Sequence, residues 1–278
     1  MSRLLIFGLG YTARAMAARL TGEGWLVNGT TRDGRSGSIR FDDGAAVARE
    51  LAAATHILSS VPPERDEDAV LARYGTPLAQ TGAWIGYLSS TGVYGDAGGA
   101  WVDESAPLHG RRGARRDADT RWLALGARVF RLPGIYGPGR SALERVAAGQ
   151  AHRTGLADQV FSRVHVDDIV AGVIAGFAGP SGAYNLADDV PCAQDAVIEH
   201  AAMLLGLPLP PVVPVASLSP QARAFYAENR RVANAKARRV LGWQPRYRDY
   251  RAGLRAVSAM TSPIPVSTAP APASSDQR

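Results

Sequence analysis

The segment GLGYTA, Gly8 to Ala13, places two glycines and a small residue between an apolar run, RLLIFG, and a helix-like stretch, TARAMAARLTGEG. That spacing suits a pyrophosphate. Gly8 permits a tight turn, Gly10 lets the backbone approach the phosphates, and Ala13 leaves room for a helix to pack on a strand. Free N–H groups at the helix start, on Tyr11 and Thr12, face the phosphate oxygens. A glycine-rich turn without a ligand has the same local pattern, but the strand–turn–helix context favours a dinucleotide. The next apolar run ends GTTRD, with Thr31 where an acidic residue holds a free ribose 2′-hydroxyl, and Arg32 after it. Small hydroxyls and a guanidinium suit a 2′-phosphate, so NADP(H) is expected over NAD(H), with Asp33 next door working against it.

A second stretch raises a different question. RRGARRDADT, residues 111–120, packs four arginines into six positions and follows them with Asp117 and Asp119. It reads as a nucleic-acid patch, as a solvated helix face, or as the wall of an active site. The formal net charge is +6, and Lys236 is the sole lysine, so arginines spread along the chain carry almost all the positive charge. Richness in alanine, glycine and arginine is as much a coding bias as a function, and nucleic acid is not an expected partner.

The bulk properties narrow the class further. A chain of 278 residues, 46% hydrophobic and 20% charged, is ordinary for a globular protein that buries a sizeable core. No run reaches the length of a membrane span, and the apolar part of MSRLLIFGLGYTARA is too short and glycine-broken for a signal peptide. The single cysteine, Cys192, excludes an internal disulfide and fits a reducing cytoplasm. No membrane and no metal are expected.

These residues need elements to hold them. RLLIFG, WLVNGTTR, SIRFD, THILSSVPP, AWIGYLSS and ARVFRLPG read as strands, with helices AAVARELAA and DEDAVLARYGTPLAQTG among the connections. Such alternation implies right-handed crossovers and a parallel sheet covered on both faces, the doubly wound Rossmann class of α/β fold. From about residue 135 helical pieces alternate with short strands and proline-rich loops, as in a smaller second lobe. The expected division is a dinucleotide-binding domain over 1–135, a mainly substrate-binding lobe over 136–261 with segments around 156–190 interleaved, and a disordered tail over 262–278.

Five further motifs occur in order: YLSSTGVYGD at 87–96, FRLPGIYGPGR at 130–140, RVHVDDI at 163–169, YNLADD at 184–189 and LGWQPRY at 241–247. As a set they resemble the extended short-chain dehydrogenase/reductases, the NAD-dependent epimerase/dehydratase group, from residue 3 to about 256. The resemblance implies a seven-stranded sheet, a C-terminal substrate lobe with the site in the crevice between them, and a homodimer through the helices after the fourth and fifth strands. It implies that Ser90 hydrogen-bonds the reacting carbonyl or hydroxyl, that Asp42 lies beside the adenine, that Ser60 and Val61 line the cofactor, and that Pro133 lies near the nicotinamide. His165 and Asp167 match an architectural motif in which Asp167 caps the next helix and Asp168 sits in its first turn.

The group's Tyr-x-x-x-Lys pair is absent. Alignment puts Arg112 at the tyrosine position and Arg116 at the lysine position, where Arg116 supplies charge for the cofactor and Arg112 cannot supply a proton. Arg111 and Arg115 are expected on a solvated face, paired with Asp117 and Asp119. Tyr94 and Tyr136 are then the candidate proton donors. The expected activity is an NADP(H)-linked, atypical oxidoreductase or epimerase. Its substrate is a small molecule with a carbonyl or hydroxyl, of sugar-nucleotide type, and an acidic one suits the basic cleft. The alternative is a non-catalytic NADP-binding regulator or redox sensor.

Overall fold

The computed structural model describes residues 1–64 and 67–261; the expected tail lies outside the described residues. In the first part strand and helix alternate: β1 (Arg3–Phe7), α1 (Tyr11–Gly22), β2 (Leu26–Thr31), β3 (Ile39–Arg40), α2 (Gly44–Ala53), β4 (His56–Ser59), α3 (Ala69–Gln80) and β5 (Trp84–Ser90). The period-2 geometry of β1 shows why a sheet forms here. Leu4 and Ile6 face one layer with Met16 and Leu20 of α1, whereas Leu5 and Phe7 face the other with Val47 of α2 and Tyr74 of α3. A strand apolar on both faces is stable only when both faces are covered.

The chain continues through β6 (Trp101–Val102), α4 (Gly113–Ala124), β7 (Arg128–Leu132), β8 (Gly134–Tyr136) and α5 (Ala142–Ala147). It then passes through β9 (Val160–Phe161), β10 (Arg163–His165), α6 (Val166–Ala175), β11 (Gly182–Asn185), β12 (Cys192–Ala193) and α7 (Gln194–Leu205). The last elements are α8 (Pro220–Phe225), β13 (Arg231–Val232), α9 (Ala235–Leu241) and α10 (Tyr250–Thr261). The main sheet has seven strands in the order β11-β7-β5-β4-β1-β2-β3. Every pairing in it is parallel. The chain winds outward one way through β2 and β3 and the other way from β4, so the strand order reverses between β1 and β4. Ligands of open α/β sheets bind in the crevice at that point.

α5, α7 and α10 form a smaller lobe around Leu143, Val146, Ile198, Leu254 and Val257. α6 and α9 return to the sheet, where Ile169, Val173 and Ala237 share the α1-side core. Two helices, α8 and α10, were not expected from the sequence. The signal for α10 was present, since Tyr250, Leu254 and Val257 recur at helical spacing and are all buried.

The cap of α6 differs from expectation. His165, not Asp167, is the capping residue, its Nδ1 accepting the Asp167 N–H at 3.2 Å. Asp168 reaches further: its carboxylate accepts the N–H groups of Arg246 (2.6 Å) and Tyr247 (3.1 Å). Together with the bond from the Trp243 indole to the Asp168 carbonyl (3.0 Å), this ties LGWQPRY to α6. Among the described residues no helix is long and apolar enough to cross a membrane.

Candidate active site

At the β1–α1 turn, Gly8 has φ +86°, and a Cβ there would lie 2.7 Å from Val61 Cγ2. The turn therefore packs directly on the end of β4, where Ser60 N–H bonds to the Phe7 carbonyl at 2.8 Å. Gly10 caps α1, and a Cβ built on it would meet nothing within 4 Å. No side chain caps this helix and its first turn carries no acid, so its N-terminal dipole faces open space. Thr12 and Ala13 are buried under the turn. This cradle fits the pyrophosphate of a dinucleotide. Tyr11 links it to the second part of the chain: its hydroxyl donates to the Pro138 carbonyl (3.0 Å) and the Arg140 guanidinium lies 5.5 Å from its ring centre.

The end of β2 is more guarded. The Thr31 hydroxyl lies 3.1 Å from Asp33 Oδ1 and 2.7 Å from Ser38, and it accepts the Gly34 N–H at 2.9 Å. Arg32 is well exposed and paired with Glu64. Asp33 loses a little to desolvation, but the Arg35 N–H and the Thr31 hydroxyl hold its carboxyl below the usual range. A 2′-phosphate would have to draw Arg32 from Glu64 and tolerate Asp33. Asp42 is exposed and gripped bidentately by Arg40 at 2.8 and 3.0 Å, which lowers its carboxyl further.

Past the ends of β5 and β7 opens a cleft of about 930 Å³. Ser90 and Pro133 form part of its wall on the sheet side, α5 and α7 supply part of the other, and Phe161 and Phe225 stack at 4.2 Å along it. Among the described residues, seven arginines and two glutamates line it. The Ser90 hydroxyl accepts the Gly92 N–H at 3.1 Å, which leaves its own proton for a ligand.

The arginine stretch lies on this wall, though not in the expected phase. Arg112 is the capping residue of α4 and lines the cleft. Arg115, expected on a solvated face, is half-buried and also lines the cleft; burial and the neighbouring Arg112 charge push its guanidinium down. Arg116 is not part of the wall. It folds back toward Gly113, with its Nε buried and without a hydrogen-bond partner. Arg111 bridges to the second lobe, donating to Glu228 and to the Ala224 carbonyl, both at 2.8 Å.

Asp119 explains the phase. Rather than pairing with a surface arginine, it is fully buried and grips Arg131 of β7 at 2.6 and 3.1 Å, while Ser89 donates to it at 2.6 Å. Burial works against the Arg131 charge, but Asp119 outweighs this and holds the guanidinium firmly protonated. Arg115 lies one turn before Asp119, on the same face of α4. Arg131 also donates to the Tyr94 hydroxyl (3.1 Å), which itself donates to Asn185 (2.7 Å). Tyr94 is thus locked inside this network, and burial raises its pKa; it is no proton donor to the cleft. Tyr136 lines the cleft, yet its hydroxyl turns toward the Asp249 carbonyl (3.5 Å) and burial pushes its pKa well up. His165 is fully buried between Tyr136 and Tyr247, and burial keeps its ring neutral.

Arg115, Phe161, Phe225 and the Asp119–Arg131 pair are the residues that sequence reasoning missed. One signal was available for the pair: FRL puts an arginine between two buried apolar residues of a strand, which demands a buried partner.

No family model matches the chain. Over 142 residues it is 32% identical to a 3-diazoavenalumate denitrifying reductase of a Streptomyces species; the alignment covers 47% of this chain and 46% of that protein, so the chain matches less than half of that relative's length. The structure of a functionally unknown conserved protein from Silicibacter pomeroyi is 41% identical, with 94% of this chain and 99% of that one covered and a TM-score of 0.83. The UDP-glucose 4-epimerase of Thermotoga maritima, solved with UDP-glucose, is 16% identical over 92% of this chain and 97% of its own, with a TM-score of 0.74. The human epimerase family protein SDR39U1, solved with NADPH, is 17% identical over 92% and 99%, with a TM-score of 0.70. At those identities the last two show a shared architecture. With its parallel sheet, its glycine cradle and its cleft, the chain has the Rossmann fold of the NAD-dependent epimerase/dehydratase group, the extended short-chain dehydrogenase/reductases that its motifs resemble.

Proposed function

We propose that the chain is an NADP(H)-linked oxidoreductase of epimerase/dehydratase type, acting on a small acidic substrate with a carbonyl or hydroxyl, sugar-nucleotide-like compounds included. One observation carries this reading. The uncapped helix at Gly10 opens at the strand-order reversal, and its Tyr11 ring lies against Arg140, which lines the arginine-rich cleft. Gly8, Gly10, Tyr11 and Thr12 would hold the pyrophosphate, Ser60, Val61 and Pro133 the nicotinamide half, Asp42 the adenine side, and Thr31 with Arg32 the 2′-phosphate. When bound, a nicotinamide dinucleotide supplies or accepts a hydride. The chain's own part is electrostatic: Ser90 donates to the reacting oxygen, and the arginines that line the cleft hold acidic groups as preorganised donors.

Fluorescence titration tests the cofactor. NADPH is expected to bind on the order of tenfold more tightly than NADH, the worth of one charge-assisted contact. Arg32→Ala is expected to erase the difference; equal affinities in the wild type would sink the NADP(H) assignment.

A second reading has its own observation. The chain lacks Tyr-x-x-x-Lys, and the two alternative tyrosines have their hydroxyls engaged elsewhere. A non-catalytic NADP-binding regulator would look the same. It predicts tight NADPH binding with no oxidation of NADPH across a panel of carbonyls and sugar nucleotides.

A further inference from the structure

Among the described residues that line the cleft, the acids and phenols are Glu144, Glu228, Tyr136 and Tyr250. Glu144 closes the cap of α5, accepting N–H bonds from Gly139 (2.9 Å) and Ser141 (2.8 Å); these outweigh its partial burial and keep it ionised. Glu228 is likewise held charged, against burial, by Arg111 at 2.8 Å and Arg230 at 2.6 Å. Tyr136 is turned toward the Asp249 carbonyl, and Tyr250 is packed into the α5–α7–α10 core; burial raises both. Arginine gives up no proton near neutrality. The described wall therefore offers no acid poised to protonate an oxygen as it gains charge.

It does offer fixed positive charge. The guanidinium groups of Arg112 and Arg115 make no hydrogen bond or salt bridge to a described residue, although Arg115 is half-buried. Arg111 and Arg230, by contrast, share the carboxylate of Glu228. Two guanidiniums without a partner among the described residues, on the wall that also carries Ser90, form a site with charge to hold an anion.

We propose that Ser90, Arg112 and Arg115 form an oxyanion site, and that the substrate is an acidic conjugated or quinonoid carbonyl whose hydride adduct is a phenolate- or enolate-type anion. This rests on the nicotinamide-dependent reading above. In the reductive step a hydride from the reduced dinucleotide forms a new C–H bond, and the conjugated π pair moves onto the carbonyl oxygen. The dinucleotide leaves oxidised, and water later delivers the proton that completes the two-electron reduction. A simple ketone fits poorly. Its alkoxide is about as basic as hydroxide, so it needs a proton as the hydride arrives. A phenolate, whose conjugate acid lies near ~10, survives until water reaches it when guanidiniums hold it.

The test uses the full chain and 4-nitrophenol, whose anion is coloured. Bound to the protein, alone or with NADP⁺, the probe should titrate about 1–3 pH units lower than in water, the range for an anion beside opposite charge. Arg115→Gln should reduce that shift clearly, leaving what Arg112 and Ser90 supply, and Arg115→Lys should retain more of it; the Lys variant also serves if the Gln variant does not fold. Failure to bind, an unshifted titration, or an equal shift in a folded Arg115→Gln protein overturns the proposal. In a second arm, with NADPH, a carboxylated quinone should be reduced on the order of a hundredfold faster than a matched saturated keto acid. Equal rates overturn the substrate assignment. If NADPH neither binds nor is oxidised, the nicotinamide reading fails, and the probe titration still decides the oxyanion site.

Discussion

Arg115 and Arg116 are neighbours in sequence but stand about 100° apart around α4, and that rotation decides which of them meets a ligand. Arg115 faces the cleft one turn before the buried Asp119, whereas Arg116 folds back along its own helix. Arg115→Ala is therefore expected to weaken NADPH or anion binding on the order of tenfold, the effect of losing one charged contact. Arg116→Ala should stay within about twofold of wild type, a difference too small for a lost charged contact. Paired titrations of the two variants check this, and a larger loss from Arg116→Ala would restore the phase expected from the sequence. The sequence could not set that phase. GARRDADTRWLA has almost no apolar stripe, and its inward face is Ala118, Asp119 and Trp122, so a charged residue does the work that a leucine usually does. The glycines were more legible, because Gly8 and Gly10 are needed for backbone reasons that hold wherever a strand turns into a phosphate-facing helix.

Between elements, the firmest statement is that α4 is fastened to the sheet by charge as well as by packing. Asp119 and Arg131 are 0% and 3% exposed, and the pair also holds Ser89 and Tyr94 in place beneath Ser90. Removing one partner leaves the other charge buried and uncompensated, which typically costs ~3–5 kcal/mol. Asp119→Ala should therefore lower unfolding free energy by about that much in chemical denaturation, whereas Asp117→Ala, on the exposed side, should change it by less than about 0.5 kcal/mol. A small effect at Asp119 would mean that the helix is held by Trp122 and its bond to Asp68 alone. The strand–helix alternation of the first 135 residues was readable because strands such as β1 and β4 are short, buried apolar runs and α1 closes at Gly22. The second part was read less well. α8 is only six residues long and β12 and β13 only two, so neither periodicity has room to show. What pairs with what across such short pieces depends on side chains far apart in sequence, as when Asp168 captures the Arg246 and Tyr247 backbone.

At the scale of the whole molecule, the sheet and the smaller lobe meet through the chain leaving β11, and Asp188 stands at that junction. It is 2% exposed, and neither carboxylate oxygen has a hydrogen-bond partner of ordinary geometry among the described residues. Burial pushes its pKa up to about 8, which the nearby Arg163 guanidinium and Val190 N–H offset only in part, and the neighbouring Asp189 and Asp249 carboxylates add to the rise. The sign follows from linkage. The folded value lies above the ordinary unfolded one of ~3.9, so folding favours the protonated form. That contribution is complete below about pH 4 and is lost as pH rises through about 8, with a size on the order of a few kcal/mol. Stability should therefore fall between pH 5 and pH 9 in the wild type by more than in Asp188→Asn, whose amide is neutral throughout. Urea denaturation at pH 5, 7 and 9 measures both slopes. If they coincide, the Asp188 carboxylate is ionised and solvated in the folded protein, and the junction opens to water more than its packing shows. If the wild-type slope is steeper and the asparagine flattens it, the joint between sheet and lobe is tightest in mildly acidic solution.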